Sequence, residues 1–134
     1  MIASLTREKD AIMTHTSNKH QAGMHGQTEA EQFLISKGYQ ILCRNYRVKT
    51  GEIDIIARLE SYIIFVEVKY RRGLKFGYPR EAVGSAKQRR VIRTALYYIG
   101  VHALVEQDFR FDVIEVLEQN GQISINHIEN AFDA

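Results

Sequence analysis

Two acids stand where a strand would ordinarily carry apolar side chains. Asp54 is enclosed by Ile53, Ile55 and Ile56, and Glu67 sits between Val66 and Val68 with Lys69 two residues beyond. Alternation along a strand puts Glu67 and Lys69 on one face. Asp54 joins them only if the connection between its strand and theirs has the right length. A two-residue loop at Glu60-Ser61 pairs Leu59 with Tyr62 and sets Asp54 opposite Glu67. A three-residue loop sets Asp54 opposite Val66 and turns its side chain to the other face. In the first register, two carboxylates and a lysine meet inside a sheet, where ionised carboxylates need a compensating cation. Hard oxygen ligands select magnesium, manganese or calcium. Beside a phosphodiester, such an ion polarises a non-bridging oxygen and lowers the pKa of bound water. Lys69 would then hold the attacking water or neutralise charge on the pentacoordinate phosphorus.

A basic segment adjoins these residues. From Lys69 to Arg93 there are nine basic residues and one acid, Glu81, for a net charge of +8; the rest of the chain has nine basic and fifteen acidic residues. Such polarity is an electrostatic footprint for a polyanion or, equally, a solvated charged face. Arg71, Arg72, Lys75, Lys87, Arg89, Arg90 and Arg93 are the candidates for phosphate contacts, which set position rather than sequence specificity. Tyr70, Phe76 and Tyr78 interleave with them and are suited either to stacking on exposed bases or to core packing.

The elements that must position these groups are legible from their punctuation. Residues 1–25 lack a sustained apolar period and read as a mobile polar tail, with a single domain over 26–134. Ala30, Phe33, Leu34 and Lys37 follow helical spacing, and Gly38 terminates the helix. Strands are expected at 39–46, 52–59 and 62–70, the last apolar on both faces as befits a central strand. Ser85 and Gln88 predict a capping box opening an amphipathic helix over 86–101. Strands at 111–117 and 122–128 are joined by the hairpin signal Asn120-Gly121. The order α-β-β-β-α-β-β predicts an α/β fold in which a mixed sheet is flanked by helices. Cys43 reads as a small core residue, and Asp112 as a structural partner of Arg110 or another arginine. His102 and His127 receive no catalytic role for want of a partner in sequence.

These residues also carry a resemblance. Gly51-Glu52-Ile53-Asp54-Ile55-Ile56, followed by Phe65-Val66-Glu67-Val68-Lys69-Tyr70-Arg71, resembles the core of the PD-(D/E)XK nuclease superfamily. With Gly38-Tyr39, Arg44-Asn45-Tyr46, Lys87-Gln88 and Arg110-Phe111-Asp112-Val113, the chain resembles more narrowly the YraN family of small endonuclease-like bacterial proteins. The resemblance implies a restriction-endonuclease-like fold. It also implies Asp54 and Glu67 as metal-binding acids, Lys69 as the catalytic lysine and a Val68 backbone carbonyl on the metal. Ile53 stands where the superfamily name has proline. Gln27 stands where the first helix of the family carries a glutamate, so it would bind through its amide oxygen or water without adding charge. Glu52 and Gln88 are expected to support the site from behind.

With 134 residues the chain suits one core, its composition excludes wholesale disorder, and one cysteine excludes an internal disulfide. No apolar run is long enough to span a membrane and no secretory signal is visible, so the expected location is the cytoplasm. The expected function is magnesium- or manganese-dependent hydrolysis of DNA, with RNA also open, on branched, damaged or flapped structures in repair, recombination or DNA processing. A homodimer would suit cutting two strands. The rival readings are a nucleic-acid-binding module of the same fold without catalysis, which Gln27 favours, and a structural member of a larger complex.

Overall fold

The computed structural model describes residues 18–73, 83–104 and 106–134. The elements follow in the expected order: α1 (Asn18–Ser36), β1 (Gln40–Val48), β2 (Gly51–Leu59), β3 (Tyr62–Arg72), α2 (Ser85–Val101), β4 (Asp108–Gln119) and β5 (Gln122–Phe132). One five-stranded sheet runs β1-β2-β3-β4-β5. Neighbours are antiparallel except β3 and β4, which α2 connects and which run parallel. The protein is therefore a mixed α/β fold with a helix on each face of the sheet.

Alternation in the central strands builds both layers. On one face, Ile56, Ile63, Phe65, Phe111 and Val113 pack against Val91, Ala95, Tyr98 and Ile99 of α2. On the other, Ile55, Ala57, Ile64, Val66, Ile114 and Val116 pack against Ala30 and Leu34 of α1. Each such aliphatic or aromatic side chain, fully buried, contributes about 1.5–3 kcal/mol. The long apolar run of β3 is thus explained: it is covered on both sides.

Local sequence sets the connections. Glu60 takes φ +55° in the two-residue β2–β3 turn, and Leu59 pairs with Tyr62. Asn120 and Gly121 both have positive φ, the left-handed pair that the tight β4–β5 hairpin requires. Gly38, at φ +91°, closes α1 with Gly38 N–H donating to Ile35 O and Tyr39 N–H to Leu34 O.

Two expectations are corrected. α1 begins at Asn18, not near Gly26, so its first turns lie within the segment read as a tail; that stretch has too few apolar residues to announce a helix. Gly26 is instead a contact point, since a Cβ there would lie 2.8 Å from Tyr70 Cβ. The Ser85–Gln88 capping box does not form. Gly84 takes the N-cap position without a side-chain bond, and Gln88 Nε2 donates to Val83 O at 3.0 Å. Lys75, Phe76 and Tyr78 lie outside the described residues.

Candidate active site

The site exists because two neighbouring strands part company. The β2–β3 ladder is regular from Leu59↔Tyr62 to Ile55↔Val66 and stops there, whereas β3 stays paired with β4 as far as Arg72↔Glu118. Where the ladder stops, the Asp54 side chain replaces the lost backbone partner: Val68 N–H donates to Asp54 Oδ2 at 2.8 Å. Side-chain alternation also breaks across Asp54. Ile55 belongs to the α1-side core, yet Ile53, two residues earlier, belongs to the α2-side core. On the facing strand, Asn45 has φ +50°. Arg44 reaches Glu31 of α1 at 2.5 Å, while Tyr46 meets Tyr98 of α2 with ring centroids 5.1 Å apart. Both strands therefore invert at the same level, next to the acid.

Asp54 and Glu67 share a cleft of about 190 Å³ with Gly51, Glu52, Lys87, Arg90 and Val91. Glu67 is 1% exposed. Its Oε1 lies 3.2 Å from Lys87 Nζ, yet neither carboxyl oxygen makes a hydrogen bond of proper geometry. Such orphaned oxygens are costly and rare in a folded protein. Burial first, and the Asp54 charge second, push the Glu67 carboxyl up to about 8, with Lys87 opposing. Burial also raises Asp54, against the pull of the Val68 N–H and Glu67. Two carboxyls pushed upward in one cleft favour holding a proton between them. For Lys87, burial lowers the ammonium, but Glu67 and Asp54 outweigh it and the net shift is upward. Lys69 is half-buried, and burial and then Lys87 pull it down while Glu67 and Asp54 resist.

The structure thus brings Asp54 and Glu67 together in the cleft, and Lys69 lies close enough for both charges to act on it although it is not a lining residue. It adds Lys87, expected on the phosphate-binding surface, as the cation facing Glu67. Val68 contributes its N–H to Asp54. Glu52 lines the cleft and accepts from Arg47 Nε at 3.1 Å and from its NH2 at 2.6 Å. Gly51 permits the close packing of β2 on α2: at φ +152° its Cβ position would lie 3.1 Å from Thr94 Oγ1.

Gln27 is not brought in. It is half-buried on α1, the helix that covers the opposite face of the sheet, and is not among the residues lining the cleft. Gln88 spends its side chain on Val83 O. Arg90 lines the cleft; Arg89, Arg93 and Arg72 are exposed and Arg71 is half-buried.

Sequence reasoning passed over one acid. Glu115 is fully buried, is the β4 partner of Lys69 in the parallel ladder, and accepts from Asn126 Nδ2 at 2.7 Å through Oε1, leaving Oε2 unpaired. Its signal was the one that marked Asp54 and Glu67, a carboxylate inside the apolar run Val113-Ile114-Glu115-Val116. Among the described residues, no group of three or more His, Cys, Asp or Glu side chains is spaced to hold a metal. None of the described helices is long and apolar enough to cross a membrane.

Comparison with known proteins places the chain. The profile of Uncharacterised protein family UPF0102 matches residues 26–116. A UPF0102 protein of Lachnoclostridium phytofermentans is 49% identical over 118 residues, 87% of this chain and 97% of that one. One from Clostridioides difficile is 51% identical over 117 residues, 86% and 99% of the two chains. A UPF0102 protein of Caldicellulosiruptor saccharolyticus is 48% identical over 117 residues, again 86% and 99%. A solved structure described as "Crystal structure of SSO0001" superposes with a TM-score of 0.37 at 18% identity, over 96% of this chain and 60% of that one, a likeness too loose to argue from. The cleft between β2 and β3 accordingly lies within the matched region, and the chain belongs to the UPF0102 family, the YraN-like group that its motifs resemble.

Proposed function

We propose that the protein is a metal-dependent phosphodiesterase acting on DNA in the cytoplasm, with the PD-(D/E)XK arrangement its motifs resemble. The observation that carries this reading is the buried Glu67 carboxyl, set beside Asp54 in a cleft and facing Lys87 at 3.2 Å with neither oxygen in a well-formed hydrogen bond. Two buried carboxyls side by side call for more positive charge than one lysine supplies, and all-oxygen donors suit magnesium or manganese. Asp54 and Glu67 would hold the ion, with a Val68 carbonyl and waters completing its shell. When bound, the ion supplies Lewis-acid polarisation of a phosphate oxygen and an acidified water.

The chain's own groups do the rest. Asp54 is held by the Val68 N–H, so its carboxylate is positioned in advance. Lys69, with its ammonium made more acidic by burial and by Lys87, is suited to orient the attacking water and pass a proton. Lys87 and Arg90 offer positive charge to the phosphate that enters the cleft. Among the described residues, no serine, tyrosine or cysteine lines the cleft, which suits water as the nucleophile without a covalent enzyme intermediate.

The test is a manganese-supplemented cleavage assay on duplex, flap, junction and single-stranded DNA, with Asp54→Asn alongside the wild type. Cleavage by the wild type alone supports the reading; equal cleavage by Asp54→Asn overturns it. Affinity should also fall steeply with salt, because phosphate contacts release counterions. A second reading rests on Gln27, which brings no negative charge where the family has a glutamate and does not line the cleft: a binding module of the same fold without catalysis. DNA binding with no manganese-dependent cleavage of any substrate would select it.

A further inference from the structure

A second hollow lies along α2 from the carboxylate cleft. It has a volume of about 460 Å³ and is lined by Val48, Lys49, Thr50 and Tyr97. Single exposed aromatics are commonplace, but this one has distinctive surroundings. Tyr97 is 54% exposed and forms one wall of a concavity with the aliphatic Val48 and the cationic Lys49. Arg90, Arg93 and Tyr97 are spaced i, i+3, i+7 and so form one stripe along α2. Arg90 is also a lining residue of the carboxylate cleft. A single helical stripe thus runs from the candidate reaction centre, past two guanidinium groups, to an aromatic-walled hollow.

The two hollows are fixed to each other. The Thr50 and Thr94 hydroxyls are 3.0 Å apart, and Thr94 Oγ1 donates to Arg90 O at 2.8 Å. The β1–β2 turn is thereby fastened to α2, and the next residues, Gly51 and Glu52, are already cleft lining. From Arg90 to Tyr97 the helix rises about 10 Å at 1.5 Å per residue. One strand advances about 3.4 Å per phosphate in a duplex and further when unpaired and stretched, so the separation spans at most about three nucleotides. Cations that track a backbone, interleaved with an exposed ring on which a base can stack, form the recurrent arrangement for unpaired nucleic acid.

We propose that the hollow at Tyr97 receives one unpaired nucleobase of a strand whose phosphates run along Arg93 and Arg90 into the carboxylate cleft, so that the preferred substrate is duplex DNA bearing a single-stranded extension or flap. This rests on the nucleic-acid reading above and names its substrate class. Tyr97 acts here through stacking, Lys49 and Arg93 through phosphate charge. Val48 gives the base an apolar floor.

The experiment uses the full chain in metal-free buffer, where no cleavage occurs. A fluorescent adenine analogue is placed at successive positions of a single-stranded extension on a duplex. Wild type is expected to bind the extended duplex about tenfold tighter than the blunt one and to quench the analogue at one position. Tyr97→Ala should remove the quenching and the preference while leaving blunt-duplex affinity within about twofold; Tyr97→Trp should keep both. Tight binding of blunt duplex with no preference for the extension overturns the base hollow and leaves the nuclease reading standing. Equal weakening of both duplexes by Tyr97→Ala also overturns it, as does loss of a self-association in that variant, which would make the hollow a contact between copies. Failure to bind any oligonucleotide at low salt overturns both readings.

Discussion

Two buried acids sit one register position apart on neighbouring strands and meet opposite fates. Val66 pairs with Asp112 and Glu67 with Val113 in the β3–β4 ladder, so Asp112 and Glu67 are adjacent in the sheet but face different helices. Asp112 is saturated. It accepts from Arg110 Nε at 2.9 Å, from Arg110 NH2 at 2.8 Å and from Asn130 N–H at 3.0 Å, and His127 Nε2 lies 2.6 Å away. Arg110 NH2 also donates to Tyr39 OH at 2.7 Å. Burial alone would raise the Asp112 carboxyl, but His127, Arg110 and the Asn130 N–H outweigh it and hold it below its usual range. Glu67 has a lysine at 3.2 Å, no well-formed hydrogen bond, and a carboxyl pushed up to about 8. A satisfied acid fastens β4, β5 and the start of β1 together. An unsatisfied one is free to bind something else.

That contrast can be broken in several ways. The largest expected effect is on chemistry: Asp54→Ala, Glu67→Ala or Lys69→Ala should each reduce manganese-dependent cleavage by roughly a thousandfold with the fold intact. Asp112→Ala should leave the cleavage rate per folded molecule nearly unchanged. Unimpaired cleavage by Lys69→Ala would remove the lysine from the mechanism. The next effect is on stability. Asp112→Ala leaves the mostly buried Arg110 with only Glu129 at 3.3 Å and Tyr39 OH, strips His127 and Asn130 N–H of their acceptor, and should cost about 3 kcal/mol in urea melts. Glu67→Gln should raise stability in metal-free buffer at alkaline pH.

The sign of that second change follows from proton counting. The folded-state Glu67 carboxyl titrates near 8, against an ordinary value of 4.5. The folded chain therefore binds more protons than the unfolded one between those values. Its contribution to stability is complete below about 4.5, declines as pH rises, and is lost above about 8. Glu67→Gln should flatten this part of the pH–stability curve, and an unchanged curve would show that another group sets it. Manganese affinity should strengthen over the same interval, because the ion must displace the shared proton. The smallest expected effect belongs to Lys87→Met. Without its ammonium the Glu67 carboxyl rises further, moving the pH dependence of manganese binding to higher pH.

What could be read from the sequence was local. Glu60-Ser61 marked the β2–β3 turn, with its register settled only by the observed Leu59–Tyr62 pairing; Asn120-Gly121 marked the hairpin and Gly38 a helix end, because each depends on neighbouring residues alone. The apolar surroundings of Asp54 and Glu67 were equally visible. Glu115 apart, whose apolar neighbours marked it as they marked Asp54 and Glu67, the missed features depend on distant contacts. Lys87 meets Glu67 only after the chain crosses over the sheet. His127 finds Asp112 through the β4–β5 pairing, which places it opposite Ile114. Gln27 matched a family position in sequence, but the face to which α1 docks keeps it out of the cleft lining. Asp112, read as a structural partner of arginine, has that role.

The left-handed turn of Asn45 within β1 has a consequence for how the protein tolerates change. Few side chains occupy that conformation without strain, asparagine and glycine being the best suited. A β-branched replacement would push the strand back toward regular pleating and carry the neighbouring weave with it. Such a molecule would melt cooperatively and keep its first acid on the cleft side, yet draw Ile53, the neighbour of that acid, out from beneath α2. Silent loss of function, with no loss of solubility to betray it, is the failure this sheet invites.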